Sequence, residues 1–396
     1  MYIKLTATLK SPLMIGGKTL NSNYKKSKPY IPGSVLRAAY ARTLIDRCVY
    51  SHDNYWLSYK DQDECRNCKF QVMCKNFKDI SFSTLYPFGG FPYPFTAREE
   101  KYERENTSGK KKDVVDILRW RVFEKRKLED EAKWERLSGI HKNGEKIEVN
   151  YSLITRTAVD YRRRSAKTGA LYSENVIAEN FIDEHKKMTE MRFSGIMKID
   201  DGLKTEFERI KTIHVGADIT RGMGHVSMSY EQMDEPDSLE KMMERVNRFN
   251  EGNEESYLYI PLDLQTDAYL SLEKMHDDKI SLGEISDEEY KKYLEKEIHL
   301  PSCYQLEKVY KSQEVQKGFN TAKSSEQNMR REGKVVVLAG AVFLYKVGKK
   351  DFQEEILFQI EQEGIGENRV HGFGKVLICD EFHLDYDAIK GEEQNG

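Results

Sequence analysis

Two glycine-rich strings constrain this chain more than any other feature. GADITRGMGHV runs from Gly216 to Val226, and GIGENRVHGFGKV from Gly364 to Val376. Each contains an arginine, Arg221 or Arg369, and each closes on Gly-x-Gly, a basic residue and valine. Glycine at this density permits left-handed backbone and close approach of another group. Neither string is a P-loop, because no Gly-Lys-Ser/Thr follows. Neither opens a helix after a strand, as a dinucleotide fingerprint does. Both are expected to follow a helix and precede a strand. Gly216, Gly222 and Gly224 in the first, and Gly364, Gly366, Gly372 and Gly374 in the second, are candidates to bring backbone N–H groups up to phosphate, with Arg221 and Arg369 beside them. The blander account of either string alone is a tight turn needing positive φ. Recurrence in equivalent places favours a ligand.

The patterns around the strings repeat as well. Residues 2–10 alternate apolar and polar as a strand does. IPGSVLRAAYARTLIDRC predicts a helix with Ser34 as N-cap and Val35, Leu36, Ala39, Tyr40, Thr43 and Leu44 on one face. EMRFSGIMKI reads as a strand and DGLKTEFERIKTI as a helix, before the first string and the strand HVSMSY. In the second half come the strand SYLYIPLDLQ, the polar helix SDEEYKKYLEKEI and the strand GKVVVLAGAVFLYKV, interrupted at Ala339-Gly340. The helix DFQEEILFQIEQEGI, the second string and the strand KVLICDEF follow. Each half ends strand, helix, glycine-rich loop, strand, which is the closing part of a βαββαβ ferredoxin-like unit. The expected fold class is α+β with two tandem ferredoxin-like units. The first is residues 1–235, with a cysteine-rich insertion at about 48–95 and a charged insertion at about 98–150. The second is residues 236–396.

Six cysteines are present, and four of them, Cys48, Cys65, Cys68 and Cys74, lie within 27 positions. CRNCKFQVMC has the spacing Cys65-x2-Cys68-x5-Cys74. The two-residue gap lets two thiolates point at one ion from a tight knuckle. Cys48 is the expected fourth ligand, with His52 the alternative. Four thiolates close a tetrahedral site, so the zinc is expected to be structural. The competing account is a set of buried free cysteines.

TRTAVDYRRRSAKTGALY carries Arg156, Arg162, Arg163, Arg164 and Lys167, with Tyr161 and Tyr172 interleaved. Guanidinium forks grip phosphates in bidentate fashion, and tyrosines stack on bases. As a β-hairpin, alternate residues face opposite sides, so not every arginine reaches one partner. The competing account is a solvated charged hairpin. Net charge is only −3, so local patches matter more than the sum. No apolar run reaches the roughly 18 residues that a bilayer demands, and MYIKLTATLKSPL lacks a continuous apolar stretch of signal-peptide length. Cytoplasmic residence, with no membrane partner, is expected. His214, His225 and His371 lie near the strings, but no Ser-His-Asp, paired-carboxylate or HExxH pattern is visible.

The strings SPLMIGG, YIPGSVLRAAY, the cysteine knuckle, TRTAVDYRRRSAKTGALY, GADITRGMGHV, AGAVFLYKV and GIGENRVHGFGKV occur in an order that resembles the RAMP superfamily of CRISPR effector subunits. More narrowly, the chain is similar to the type III-D-like kind that binds the 5′ handle of crRNA. The family often carries a second cysteine pair where this chain reads WERLSGIHKNG, so no second metal site is expected. The resemblance implies two RRM-like folds and RNA held by backbone and shape, without catalysis. It implies crRNA, other RAMP subunits and the large polymerase-like subunit of a type III complex as partners. One of the two loops would serve mainly subunit contacts. Two other readings compete. One is a metal-independent RAMP endoribonuclease acting on repeat RNA through His214 or His225. The other is a zinc-containing protein-interaction scaffold that binds no RNA.

Overall fold

The computed structural model describes all residues except 17–18, 22–23, 51–56, 58, 61, 102–112, 125–132, 161, 183–186, 236–237, 271–286, 299, 317–333 and 389–396. The architecture is mixed α+β with several antiparallel sheets. The chain forms two compact units. The first holds residues 1–90, 147–236 and Val370–Gly372, and the second holds 91–146, 237–369 and 373–396.

In the first unit, β1 (Tyr2–Leu9) shows the period-two burial that its sequence dictates: Ile3, Leu5, Ala7 and Leu9 are buried. α1 (Gly33–Asp46) buries Leu36, Ala39, Tyr40 and Leu44. It starts one residue before the expected cap. Pro32 occupies the N-cap with extended backbone and no side chain caps the helix, so Ser34 lies inside the first turn. The remaining elements are β2 (Tyr86–Pro87), the long hairpin β3 (Tyr151–Asp160) and β4 (Ser165–Ile177), β5 (Arg192–Lys198), α2 (Lys204–Glu208), β6 (Thr212–His214) and β7 (His225–Met233). The main sheet runs β6-β7-β1-β5-β2. β1 pairs antiparallel with β5 (Tyr2↔Lys198) and with β7 (Tyr2↔Met233). The helix expected over residues 201–213 ends at Glu208, and Thr212–His214 is an edge strand instead. Ile213 lies opposite Val226 and is buried, so pairing to β7 outweighs helical continuation there.

The second unit contains α3 (Leu239–Phe249), β8 (Tyr257–Leu264), α4 (Asp287–Glu297), β9 (Gln305–Tyr310), β10 (Val342–Gly348), α5 (Glu354–Glu363) and β11 (Val376–Ile378). Ser238 caps α3, its side chain accepting from the Lys241 N–H at 3.3 Å. The sheet runs β9-β10-β8-β11, all antiparallel. In the first unit β1 lies between β7 and β5, and in the second β8 lies between β11 and β10. The apolar run 334–348 breaks at Gly340, whose φ of 91° ends one strand, Lys334–Val337, before β10 begins.

The charged segment at about 98–150 differs from expectation. It is not an insertion of the first unit, because residues 91–146 belong to the second. Phe95 and Leu118 join that unit's apolar core with Leu262, Phe343 and Leu357, and the Phe95 N–H donates to the Gly340 carbonyl at 2.7 Å. Asp116, Asp263 and His383 meet there too. His383 is fully buried, with Nδ1 3.0 Å from Asp116 and Nε2 2.8 Å from Asp263. The two carboxylates outweigh desolvation and hold its pKa well above the usual histidine value. Asp116 is fully buried, yet its partners His383, Thr96 and the Leu118 N–H keep its carboxyl below the ordinary range.

Candidate nucleic-acid interface

The two glycine-rich loops share one backbone design. In the first, Gly216 (φ 85°), Asp218 (57°), Gly222 (85°) and Gly224 (72°) are left-handed; in the second, Gly366 (75°), Asn368 (61°), Gly372 (81°) and Gly374 (72°) are. A single 3-10 turn sits inside each, Ile219–Arg221 and Arg369–His371. The hydrogen bonds correspond too. Val215 N–H donates to Gly224 O and Ile365 N–H to Gly374 O, both at 2.8 Å. Gly224 N–H donates to Pro12 O and Gly374 N–H to Asp267 O; Ala217 N–H donates to Met14 O and Glu367 N–H to Tyr269 O.

This pattern revises the reason for the glycines. A Cβ on Gly224 would lie 2.0 Å from the Val215 carbonyl oxygen, and one on Gly374 would lie 1.8 Å from that of Ile365. Gly216 would meet Met14 O at 2.3 Å, Gly366 would meet Tyr269 O at 2.3 Å, and Gly364 would meet Gly374 O at 2.6 Å. These positions are glycine because the protein's own backbone approaches them, and their neighbouring N–H groups are already used. Gly222 is different: nothing lies within 4 Å of the Cβ it lacks. Its counterpart Gly372 is closed in the first unit, where a Cβ would lie 2.3 Å from Phe82 O.

The arginines of the two loops are not equivalents. Arg221 ends its 3-10 turn and corresponds to His371, whereas Arg369 begins its turn and corresponds to Ile219. Arg369 donates to the Glu363 carboxylate at 3.2 Å.

Around the first loop, β3 and β4 pair antiparallel from Tyr151↔Ile177 to Asp160↔Ser165, with a register shift between Thr157 and Val159. Arg156 lies opposite Tyr172, with Glu174 two residues along β4 on the same face. This face meets the loop. Arg221 donates to Tyr172 Oη at 3.0 Å and to Asp218 Oδ1 at 3.1 Å; Arg156 Nη1 stands 3.5 Å from Asp218 Oδ2. Beneath them Met14, Val176 and Met223 form a small apolar cluster. Glu174 is buried, and burial, followed by the charge of Asp218, raises its pKa against the opposing pull of Arg156. Arg156 Nη1 is buried and makes no hydrogen bond among the described residues.

Of the expected basic residues, Arg156 and Arg221 are thus brought together by Asp218. Arg162, Arg163 and Arg164 are exposed at the hairpin turn, where Asp160 Oδ1 accepts from the N–H groups of Arg162 and Arg163. Lys167 is exposed within the extra residues that β4 carries between Ala166 and Leu171. Tyr161 and His52 lie outside the described residues. His214 and His225 are cross-strand partners whose rings stack at 5.3 Å. Asp218 is not among the residues that the sequence patterns single out. Its signal was its place two residues after a loop glycine, where an Asp or Asn tolerates left-handed backbone.

The cysteine segment folds as two short helices, Asp63–Arg66 and Gln71–Asn76. Between them the Phe70 N–H donates to Cys68 Sγ at 3.5 Å. The Cys74 thiol is pushed up to about 11, first by burial and then by Cys48, Cys65, Cys68 and Glu206. Four thiols therefore share one neighbourhood, and four sulfurs suit zinc. Among the described residues no three His, Cys, Asp or Glu side chains close into a ligand set.

No helix among the described residues is long and apolar enough to cross a membrane. The family described as RAMPs, RAMP superfamily, matches residues 6–227, more than half of the chain. No curated protein matches the sequence. Among solved structures, the chain is similar to one from "Cryo-EM structure of the Type III-B Cmr-beta bound to cognate target RNA and AMPPnP, state 1". That pair shares 12% identity over 91% of this chain and 89% of the other, with a TM-score of 0.41. It is also similar to one from "Cryo-EM structure of the Type III-B Cmr-beta bound to cognate target RNA", at 10% identity over 94% and 96%, with a TM-score of 0.41. A chain of "Type IV-B CRISPR Complex" shares 11% identity over 60% of this chain and 95% of that one, with a TM-score of 0.27.

Proposed function

The chain belongs to the RAMP superfamily, and from that premise we propose that it is a non-catalytic RNA-binding subunit of a type III CRISPR complex, holding the 5′ handle of the crRNA. Each unit is read as one ferredoxin-like βαββαβ fold, β1-α1-β2-β5-α2-β7 and β8-α4-β9-β10-α5-β11, with β6 an added edge strand. The observation that carries the RNA reading is Arg156: a part-buried guanidinium whose buried Nη1, 3.5 Å from the Asp218 carboxylate, makes no hydrogen bond among the described residues, at the loop that holds Gly222, the one loop glycine with open space around the Cβ it lacks. A buried unsatisfied donor calls for a partner, and a phosphate oxygen entering over Gly222 supplies one. Arg162, Arg163, Arg164 and Lys167 extend the positive surface along the hairpin. Cys48, Cys65, Cys68 and Cys74 are proposed to hold one structural zinc. Other RAMP subunits and the large subunit of the complex are its proposed protein partners, and the cytoplasm its place.

The decisive experiment incubates the purified chain with labelled handle RNA in EDTA. Retention without cleavage is expected, with a steep salt dependence that flattens by about 0.7 for each phosphate contact removed. Replacing Arg162 and Arg164 by Glu should weaken binding strongly; unchanged affinity and salt slope would place the RNA elsewhere. The stacked His214–His225 pair favours the second reading, a metal-independent endoribonuclease. Cleavage in EDTA that His225→Ala abolishes would establish it.

A further inference from the structure

A second basic cavity lies in the first unit, and the expected handle surface does not use it. Its volume is about 660 Å³, and Arg47, Cys68, Lys69, Phe70 and Arg209 line it. Three segments meet there. Arg47 is the C-cap of α1, Lys69 and Phe70 lie in the cysteine knuckle, and Arg209 is the C-cap of α2. Arg209 precedes the edge strand β6 and Gly216 follows it. The cavity and the glycine-rich loop therefore approach β6 from opposite ends.

All three cations are exposed, and among the described residues none has a carboxylate partner. Arg209 is held by its Nη1, which donates to the Lys69 carbonyl at 2.8 Å, and Arg47 lies over the Phe70 ring at 5.5 Å. The buried Glu206, three residues before Arg209, is engaged elsewhere: its two oxygens accept from the Val72 and Met73 N–H groups at 3.0 and 2.7 Å. Positive charge gathered around a concavity without counter-charge attracts an anion. The half-buried Phe70 adds an apolar face beside two guanidinium groups. Cations that follow a backbone, interleaved with an aromatic platform, make up the chemistry that holds single-stranded nucleic acid. An acidic protein segment would satisfy the cations and make no use of the ring that lines the cavity.

We propose that this cavity is a second polynucleotide contact, in which Arg47, Lys69 and Arg209 bind consecutive phosphates of a single strand and Phe70 stacks on a base. The site reads phosphate and base face, so RNA and DNA single strands both fit it. It stands independently of the hairpin surface. It also gives the cysteine knuckle a task beyond folding, namely to hold Lys69 and Phe70 against α1 and α2.

The test measures binding of labelled single-stranded RNA and DNA 12-mers to the full chain across a salt series. Four proteins are compared: the wild type, the triple variant Arg47→Ala, Lys69→Glu, Arg209→Glu, the hairpin variant Arg162→Glu, Arg164→Glu, and their combination. Zinc content and melting temperature are recorded for each. The triple variant should lose roughly tenfold in affinity for both strands. Its log–log salt slope should fall by about 2, from three contacts at about 0.7 each. Zinc content should stay unchanged, and the loss should add to that of the hairpin variant. Phe70→Leu should remove photocrosslinking of 4-thiouridine RNA to the knuckle peptide without changing the salt slope. Unchanged slope and affinity in the triple variant would overturn the proposal. Lost zinc with unchanged RNA affinity would overturn it too, and would mark the cations as counter-ions of the metal thiolates. So would retained polynucleotide binding with loss of an acidic protein partner. If the hairpin variant alone were silent, the handle assignment would fail and this site would stand.

Discussion

Arg156 and Asp218 face each other at 3.5 Å, each side chain one-fifth exposed, and the same carboxylate holds Arg221 at 3.1 Å through its other oxygen. The two arginines best placed to grip a phosphate at the first loop are thus neutralised by one acid. RNA must compete with that acid for both.

Asp218→Asn is therefore expected to tighten RNA binding about five-fold, on the order of 1 kcal/mol, and to steepen its salt dependence. The backbone accepts the change, because Asn368 holds the equivalent left-handed place in the second loop. Titration of labelled handle RNA in two salt concentrations reads both effects. Weaker binding by Asp218→Asn would mean that the carboxylate orients the arginines for RNA and does not compete with it.

The loop glycines should separate by mechanism. Gly224→Ala drives a methyl to about 2 Å from Val215 O and should cost more than about 1 kcal/mol of stability, seen as a lower melting temperature. Gly374→Ala should do the same against Ile365 O. The Cβ of Gly222→Val has no protein atom within 4 Å, so beyond the strain of positive φ, on the order of 1 kcal/mol, its effect should fall on RNA affinity. Equal melting temperatures across the three variants would refute this ordering.

Stability should fall as pH rises from about 5.5 to 8. His383 has a raised folded pKa, so its contribution is fully present below the unfolded value of about 6.5 and fades above it. Burial and Asp263 raise the Asp380 carboxyl to about 6, so its cost to the folded state builds up between the unfolded value of about 4 and that pH, at the lower edge of this range. The lowered Asp116 acts in the opposite sense, but only where pH falls below the unfolded carboxylate value of about 4. Melting temperature against pH checks this, and His383→Gln should flatten the slope. That variant should also lose on the order of 3–5 kcal/mol, since it leaves two buried carboxylates without their cation.

Metal analysis should find about one zinc per chain, the content of a closed structural site. Cys65→Ser or Cys68→Ser should lower that content together with the melting temperature. A metal-free protein of full stability would end the zinc proposal.

Sequence alone determined what depends on near neighbours. The alternation in Tyr2–Leu9 made a strand with one buried face, and the spacing of Leu36, Ala39, Tyr40 and Leu44 made α1 one-sided. The hairpin was legible for the same reason, as was the order strand, helix, glycine-rich loop, strand in the second half, because period and turn chemistry act over a few residues; in the first half β6 stands between helix and loop. Tertiary structure decided the rest. The chain pattern could not assign residues 91–146 to the second unit, because Phe95 and Leu118 are apolar in either place and only the packed core distinguishes them. Matching Arg221 to Arg369 by composition failed, since equivalence follows the left-handed positions, which pair Arg221 with His371. The meeting of Asp116, Asp263 and His383, and that of Arg47, Lys69 and Arg209, join residues far apart in the chain. Charges so separated carry no local signal. Their neighbours are set by which strands and helices pack together, and only the folded chain fixes that.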